Sequence, residues 1–197
     1  MNPTANAYSL IDADDSLLIA IDVQDAFLGK LPHPDSERLL NNICWITKLA
    51  RWKQVPLVVT AEEYEHAPLA DRLVETLPAG IHVFNKLVFG LAHQPDILAA
   101  VEQTGRRTAV LVGLETDVCI QHSALGLLEQ GYRVVVVTDA TGTPAPNHEL
   151  ALERLRSAGV LLVSMKGLFY EWLRTVDAIQ RFHRENPDMR ARAGIVL

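Results

Sequence analysis

Cys119 lies in Gly113-Leu114-Glu115-Thr116-Asp117-Val118-Cys119-Ile120, after the apolar run Val110-Leu111-Val112 and where Ile120, Ala124, Leu127 and Leu128 begin to recur at helical spacing. A thiol in a first helical turn meets unsatisfied N–H groups and the positive end of the helix dipole, which favour thiolate. The same N–H groups suit a developing oxyanion. A small buried core cysteine is the structural alternative. Asp22 closes the strand-length apolar run Leu17-Leu18-Ile19-Ala20-Ile21, at the carboxyl edge where parallel sheets bind ligands. Lys86 follows Ile81-His82-Val83-Phe84 and sits among Leu87, Val88 and Phe89, where an ammonium needs an anionic partner. Taken singly, Asp22 also reads as a turn or cap residue and Lys86 as a surface lysine lying along apolar atoms. Together they supply a base, a cation and a nucleophile, the set that acyl transfer requires. Cys119 attacks a carbonyl to form a thioester, and Asp22 takes the thiol proton, passes it to the leaving group and then activates water. Lys86 stabilises the thiolate and orients Asp22.

Holding those three on one rim requires strands that end together. Short β-branched runs near 17–23, 56–60, 81–84, 107–112, 132–138 and 160–164 predict six strands. Between them, Leu39, Ile43, Ile46 and Ala50 mark one helical stripe, Ile97, Leu98 and Val101 another, and Leu168, Trp172, Val176 and Ile179 a third. Strand–helix alternation with crossover-length connections specifies a parallel sheet covered on both faces, an α/β doubly wound three-layer sandwich. The loop Thr141-Gly142-Thr143-Pro144-Ala145-Pro146 reads as a rim loop before a helix starting near Asn147. No repeat or linker divides the chain, which is read as one domain over 1–197.

The motifs resemble the isochorismatase-like cysteine hydrolases. Asp22 in Ile-Asp-Val-Gln-Asp-Ala-Phe is similar to that family's first-strand aspartate, Lys86 in Asn-Lys-Leu-Val-Phe-Gly to its lysine, and Thr116-Asp117-Val118-Cys119-Ile120 to its nucleophile loop. The resemblance implies six parallel strands in the order 3-2-1-4-5-6, which puts Asp22 and Cys119 past neighbouring strands. It also implies a cis peptide at Leu114–Glu115, with the N–H groups of Glu115 and Cys119 forming the oxyanion hole. A cysteine nucleophile favours an amide or related carbonyl substrate over the vinyl ether of isochorismatase proper. Nicotinamidases of the family carry an Asp-x-His metal cluster after the second strand. Here that stretch is Thr60-Ala61-Glu62-Glu63-Tyr64-Glu65-His66, one histidine without a partner at ligand spacing, so no metal and no other cofactor is expected.

Around the three groups, Phe27, Tyr64, Phe89 and Leu91 are candidates for an apolar substrate wall, and Gln24, Glu62 and Glu115 for polar contacts. His122 is a possible thiol partner, though a packing role competes. Cys44 lies within an apolar helical stripe and reads as structural. Trp45, Trp52 and Trp172 suggest helix surfaces buried between subunits of a homo-oligomer, the state common in the family. A net charge of −6 without a basic face outside the tail around Arg190 and Arg192 argues against a nucleic-acid partner. No apolar run approaches the ~20 residues of a bilayer span, so no membrane association is expected. Met1 to Ser9 lacks the pattern of a signal peptide, and two cysteines make no disulfide framework. The cytoplasm, where a thiol stays reduced, is the expected location. A thiol sensor or scaffold of the same fold, or a hydrolase of a non-amide substrate, remains the alternative. A dinucleotide-dependent dehydrogenase is excluded by the absence of a Gly-x-Gly-x-x-Gly turn after the first strand, where Val-Gln-Asp-Ala-Phe stands instead.

Overall fold

The computed structural model describes residues 9–189. Met1 to Tyr8 and the basic pair Arg190 and Arg192 lie outside the described residues. Six strands form the core: β1 Ser16–Ile21, β2 Leu57–Glu62, β3 Val83–Lys86, β4 Thr108–Leu114, β5 Arg133–Gly142 and β6 Leu161–Val163. All pair in parallel, in the order β3-β2-β1-β4-β5-β6, the doubly wound sheet that the sequence predicts. The helices are α1 Asp25–Leu28, α2 His33–Trp52, α3 Asp71–Val74, α4 Pro95–Gln103, α5 Gln121–Glu129, α6 Asn147–Ser157, α7 Met165–Leu173 and α8 Val176–Glu185. No helix among the described residues is long and apolar enough to cross a membrane.

After Ser16 and Thr108 the central strands β1 and β4 are continuously non-polar because both faces are covered. Leu18, Ala20, Val59, Val110, Val112, Val135 and Val137 pack with residues of α2, α3, α7 and α8. The alternate residues Leu17, Ile19, Ile21, Val58, Ala109, Leu111, Val134 and Val136 pack with α4, α5 and α6. Cys119 belongs to this second layer.

Four expectations need correction. Lys86 does not follow β3 but ends it, opposite Glu62 of β2. β5 runs to Gly142, beyond the expected 138, because a register shift between Leu111 and Gly113 lets its second half pair with Gly113 and Leu114. The stripe from Leu168 to Ile179 is two helices, since Arg174 turns left-handed at φ 65° and Thr175 caps α8 through its side chain. Val176, counted in that stripe, is therefore exposed. Finally, Trp45 and Trp172 are buried in this chain's own core. Trp45 lies edge-on to Phe169 and Phe182, so Trp45 and Trp172 belong to the core between α2, α7 and α8 instead of marking subunit surfaces, while Trp52 is half-buried, packs on Phe182 and donates from Nε1 to Glu185.

Candidate active site

β1 places Asp22. Its backbone turns left-handed at φ 52° directly after the strand, a conformation that aspartate tolerates better than most residues. The turn is pinned twice from β2: the Asp22 N–H donates to the Thr60 carbonyl at 3.1 Å, and the Thr60 hydroxyl donates to Asp22 Oδ1 at 2.8 Å. On the other side of β1, Gly113 of β4 stands opposite Ile21. Gly113 has φ 124°, and a Cβ there would fall 1.9 Å from the Ile21 carbonyl oxygen. Only glycine permits that approach, and it brings the loop after β4 to the end of β1.

That loop opens with a cis Leu114–Glu115 peptide, where the family resemblance implies one. From Thr116 to Ile120 the chain winds more widely than an α-helix, with the Glu115 carbonyl accepting from the Ile120 N–H at 3.1 Å and the Val118 N–H at 3.2 Å. Cys119 thus sits in a wide turn ahead of α5 and not in the first turn of the regular helix. The Thr116 hydroxyl and His148 Nδ1, 2.9 Å apart, tie the loop to α6.

Lys86 reaches back from the end of β3. Its ammonium lies 2.9 Å from Asp22 Oδ2, donates to the Val88 carbonyl at 2.8 Å and meets Cys119 Sγ at 3.5 Å. Lys86 and Asp22 are fully buried and Cys119 is nearly so. Glu62 completes the cluster, with Oε2 3.6 Å from the ammonium and 3.7 Å from the sulfur.

The electrostatics differ from a preformed thiolate. Burial pushes the Cys119 thiol well above its ordinary range, the charges of Asp22 and Glu62 add to that, and Lys86 opposes it. Burial also raises the Asp22 carboxyl against the pull of Lys86 and Thr60. For Lys86, burial works downward, but Asp22, Cys119 and Glu62 outweigh it and the ammonium is held above its usual value. Burial thus works against the charged form of all three groups, and the close contact of Asp22 with Lys86 is what opposes it for that pair. Burial and two nearby carboxylates overrule the expected effect of the helix dipole.

The other candidate residues divide. Gln24 is buried, and its side chain clamps the end of β2: its Oε1 accepts from the Glu62 N–H at 2.9 Å, and its Nε2 donates to the Glu62 carbonyl at 2.8 Å and to the Ala67 carbonyl. That corrects its reading as a substrate contact, since its polar atoms are spent on backbone. Leu91 is fully buried in the core beside α5, which corrects its reading as pocket wall. Tyr64 and Phe89 are exposed on the loops after β2 and β3, and Phe27 is half-buried. Glu115 directs its carboxylate to Lys30 at 3.0 Å, with the Lys30 ammonium 4.6 Å above the Phe27 ring. His122 is exposed beside Phe89, its ring centre 6.0 Å away, so its contact is with the rim. Cys44 donates to the Arg72 carbonyl at 3.4 Å.

Sequence reasoning set Glu62 among general polar contacts and missed Thr60. Alternation along β2 carries the signal: if Thr60 faces Asp22, then Glu62, two residues on, faces the same way. One ligand atom each from Asp22, Glu62 and Cys119 lie within 4.8 Å of one another, a spacing that could hold a cation. The Lys86 ammonium already stands among them and supplies the positive charge. His66 belongs to no such group among the described residues.

The comparisons with known proteins show the family and the fold. The Escherichia coli protein named Probable hydrolase YcaC is 27% identical over 192 residues, spanning 93% of this chain and 92% of the relative. A crystal structure of E. coli YcaC, described as an octameric hydrolase of unknown specificity, matches with a TM-score of 0.80 over 92% of this chain and 93% of that one, at 25% identity. YcaC from Pseudomonas aeruginosa, solved with hexane-2,5-diol and covalent acrylamide, gives a TM-score of 0.79 at 26% identity, covering 92% of this chain and 88% of that one. Bovine Isochorismatase domain-containing protein 2 is 31% identical over 159 residues, 79% of this chain and 74% of the relative. The Isochorismatase domain model matches residues 16–166, from the first residue of β1 to the start of α7 and so across the whole sheet that carries the cluster: the chain belongs to the isochorismatase-like hydrolase family.

Proposed function

We propose that the protein is a metal-independent cysteine hydrolase that cleaves a small amide or related carbonyl compound through a thioester. The observation that carries this reading is the sealed Asp22–Lys86 pair set directly against Cys119 Sγ. A protonated thiol with a carboxylate at hand calls for general-base activation. Asp22 takes the Cys119 proton as sulfur attacks the carbonyl carbon, and Lys86 compensates the charge appearing on sulfur. The N–H groups of Glu115 and Cys119 receive the oxyanion, for which one donor is typically worth about 3 kcal/mol. Asp22 then delivers its proton to the leaving nitrogen, and water hydrolyses the thioester to an acid.

Phe27, Tyr64 and Phe89 would border the substrate. Lys86 would do the electrostatic work of a cation at this position, so no metal or organic cofactor enters the scheme. A thiol sensor fits less well, since such cysteines are accessible and of low pKa, whereas Cys119 is buried and its thiol is pushed up. The octamer described for E. coli YcaC supports homo-oligomeric assembly here, and a reducing compartment such as the cytoplasm suits a catalytic thiol.

The test is ammonia or amine release from a panel of small aliphatic and aromatic amides after chelator treatment. Activity that survives chelation and vanishes in Cys119→Ala and Asp22→Asn is the expected result. Release that persists in Cys119→Ala, or that returns only when metal is restored, would overturn the reading.

A further inference from the structure

The cluster holds two carboxylates in different surroundings. Asp22 is fully enclosed, its Oδ1 taken by the Thr60 hydroxyl and its Oδ2 by the Lys86 ammonium. Glu62 leaves 31% of its side chain exposed while its Oε2 stands 3.7 Å from the sulfur. Its position is built: it ends β2 opposite Lys86, and the Gln24 side chain fixes its backbone by accepting from the Glu62 N–H and donating to the Glu62 carbonyl. Once an acyl group sits on Cys119, water comes from solvent, and of the two carboxylates beside the sulfur Glu62 is the partly exposed one while Asp22 is fully buried.

We propose that the two half-reactions use different bases, Asp22 for acylation and Glu62 for hydrolysis of the thioester; this rests on the cysteine hydrolase reading above. Glu62 takes one proton from a water held between it and the acyl carbon, and the water oxygen bonds to that carbon. The tetrahedral adduct collapses, the carbon–sulfur bond breaks, and sulfur departs with the electron pair. Glu62 returns the proton to sulfur across their direct contact. The acid leaves, and thiol and carboxylate are both restored, with Asp22 unchanged throughout this half.

The experiment uses p-nitrophenyl acetate, whose leaving group needs no proton, so its release reports acylation alone. The full chain, Glu62→Gln, Glu62→Asp, Cys119→Ala and the neighbouring Glu63→Gln are followed by stopped flow, with intact-mass detection of acetyl–Cys119. Glu62→Gln is expected to keep its nitrophenolate burst within a few fold, to accumulate the acetyl-enzyme and to hydrolyse it about 100-fold more slowly. Hydroxylamine, a nucleophile that needs no such base, should discharge it. Glu62→Asp should fall between, and Glu63→Gln should match the parent. Hydrolysis at the parent rate in Glu62→Gln would assign the second step elsewhere, and a lost burst with no acetyl-enzyme would place Glu62 in the first step; either result would overturn the proposal. A parent protein that forms no acetyl–Cys119 would instead overturn the underlying cysteine hydrolase reading, which separates the two failures.

Discussion

Two ion pairs of nearly equal length border the loop that carries Cys119. Lys86–Asp22 spans 2.9 Å and is fully buried; Lys30–Glu115 spans 3.0 Å with the lysine side chain 46% exposed. Distance alone would rank them together. In water the attraction of the outer pair is largely screened, and such pairs contribute about 0–1 kcal/mol. The inner pair stands on ground where each charge alone is intolerable, so each requires the other. The fold spends polar groups to keep it satisfied: the Thr60 hydroxyl on Asp22 and the Val88 carbonyl on Lys86. The outer pair has one auxiliary contact, the ammonium over Phe27. Charge buried beside the sulfur is suited to chemistry, and charge on an exposed lysine is not.

The sharpest way to break this contrast is Asp22→Asn. Loss of a positioned general base should lower amide turnover by about 1000-fold. The same change should lower the Cys119 thiol pKa, because the Asp22 charge is one of the causes that raise it. Ultraviolet titration of the thiolate beside steady-state kinetics checks both, and a less active enzyme with a more ionisable thiol is the expected pairing. Next in size is Lys86→Met, which leaves Asp22 buried without its counter-charge and should cost about 3–5 kcal/mol in denaturant unfolding. The double variant Asp22→Asn, Lys86→Met should recover most of that stability while remaining inactive. A smaller effect is expected from pH. Asp22 must be ionised to accept the thiol proton, and its pKa is raised. Therefore kcat/KM should fall about tenfold per pH unit as pH drops through a value above the ordinary carboxylate range. An acid limb at the usual aspartate position would show that burial does not govern Asp22.

Much of this was legible in the sequence, and the failures have physical causes. The apolar runs ending at Ile21 and Val112 locate β1 and β4 closely, because strands covered on both faces leave a continuous signal. Asp22, Lys86 and Cys119 could be singled out since each is chemically unusual in its setting. Glu62 was named as a polar contact, but its place against the Cys119 sulfur and the Lys86 ammonium was not, because that depends on the side-chain alternation of β2, which Thr60 anchors. Gln24 and Leu91 were misassigned because proximity in sequence to Asp22 and Lys86 does not reveal that their side chains turn to the backbone and the core. The break at Arg174 is hidden for a related reason: apolar spacing continues from α7 into α8 while one left-handed residue redirects the chain. The environment of the Cys119 thiol is the least legible feature, since burial and the charges of Asp22 and Glu62 push its pKa up where the local helix start favours thiolate. A helix start is local, but desolvation and the charges arriving from β1 and β2 are tertiary.

Lys30→Ala is the smallest predicted effect and the one that most directly tests the comparison. Removing the outer cation should change unfolding free energy by less than about 1 kcal/mol, and high salt should erase even that difference by screening. Glu115 enters the proposed chemistry through its backbone N–H, and its side chain is the part turned toward Lys30. Loss of the lysine therefore leaves the oxyanion position intact, and turnover of a neutral amide should stay within a few fold of the parent. Parallel denaturation and kinetics at low and high salt measure both quantities. If Lys30→Ala instead lowered turnover as severely as Asp22→Asn, Glu115 would have to be held by its side chain for its backbone to act. The outer pair would then belong to the proposed chemistry, and the division between a buried pair and a screened one would fail.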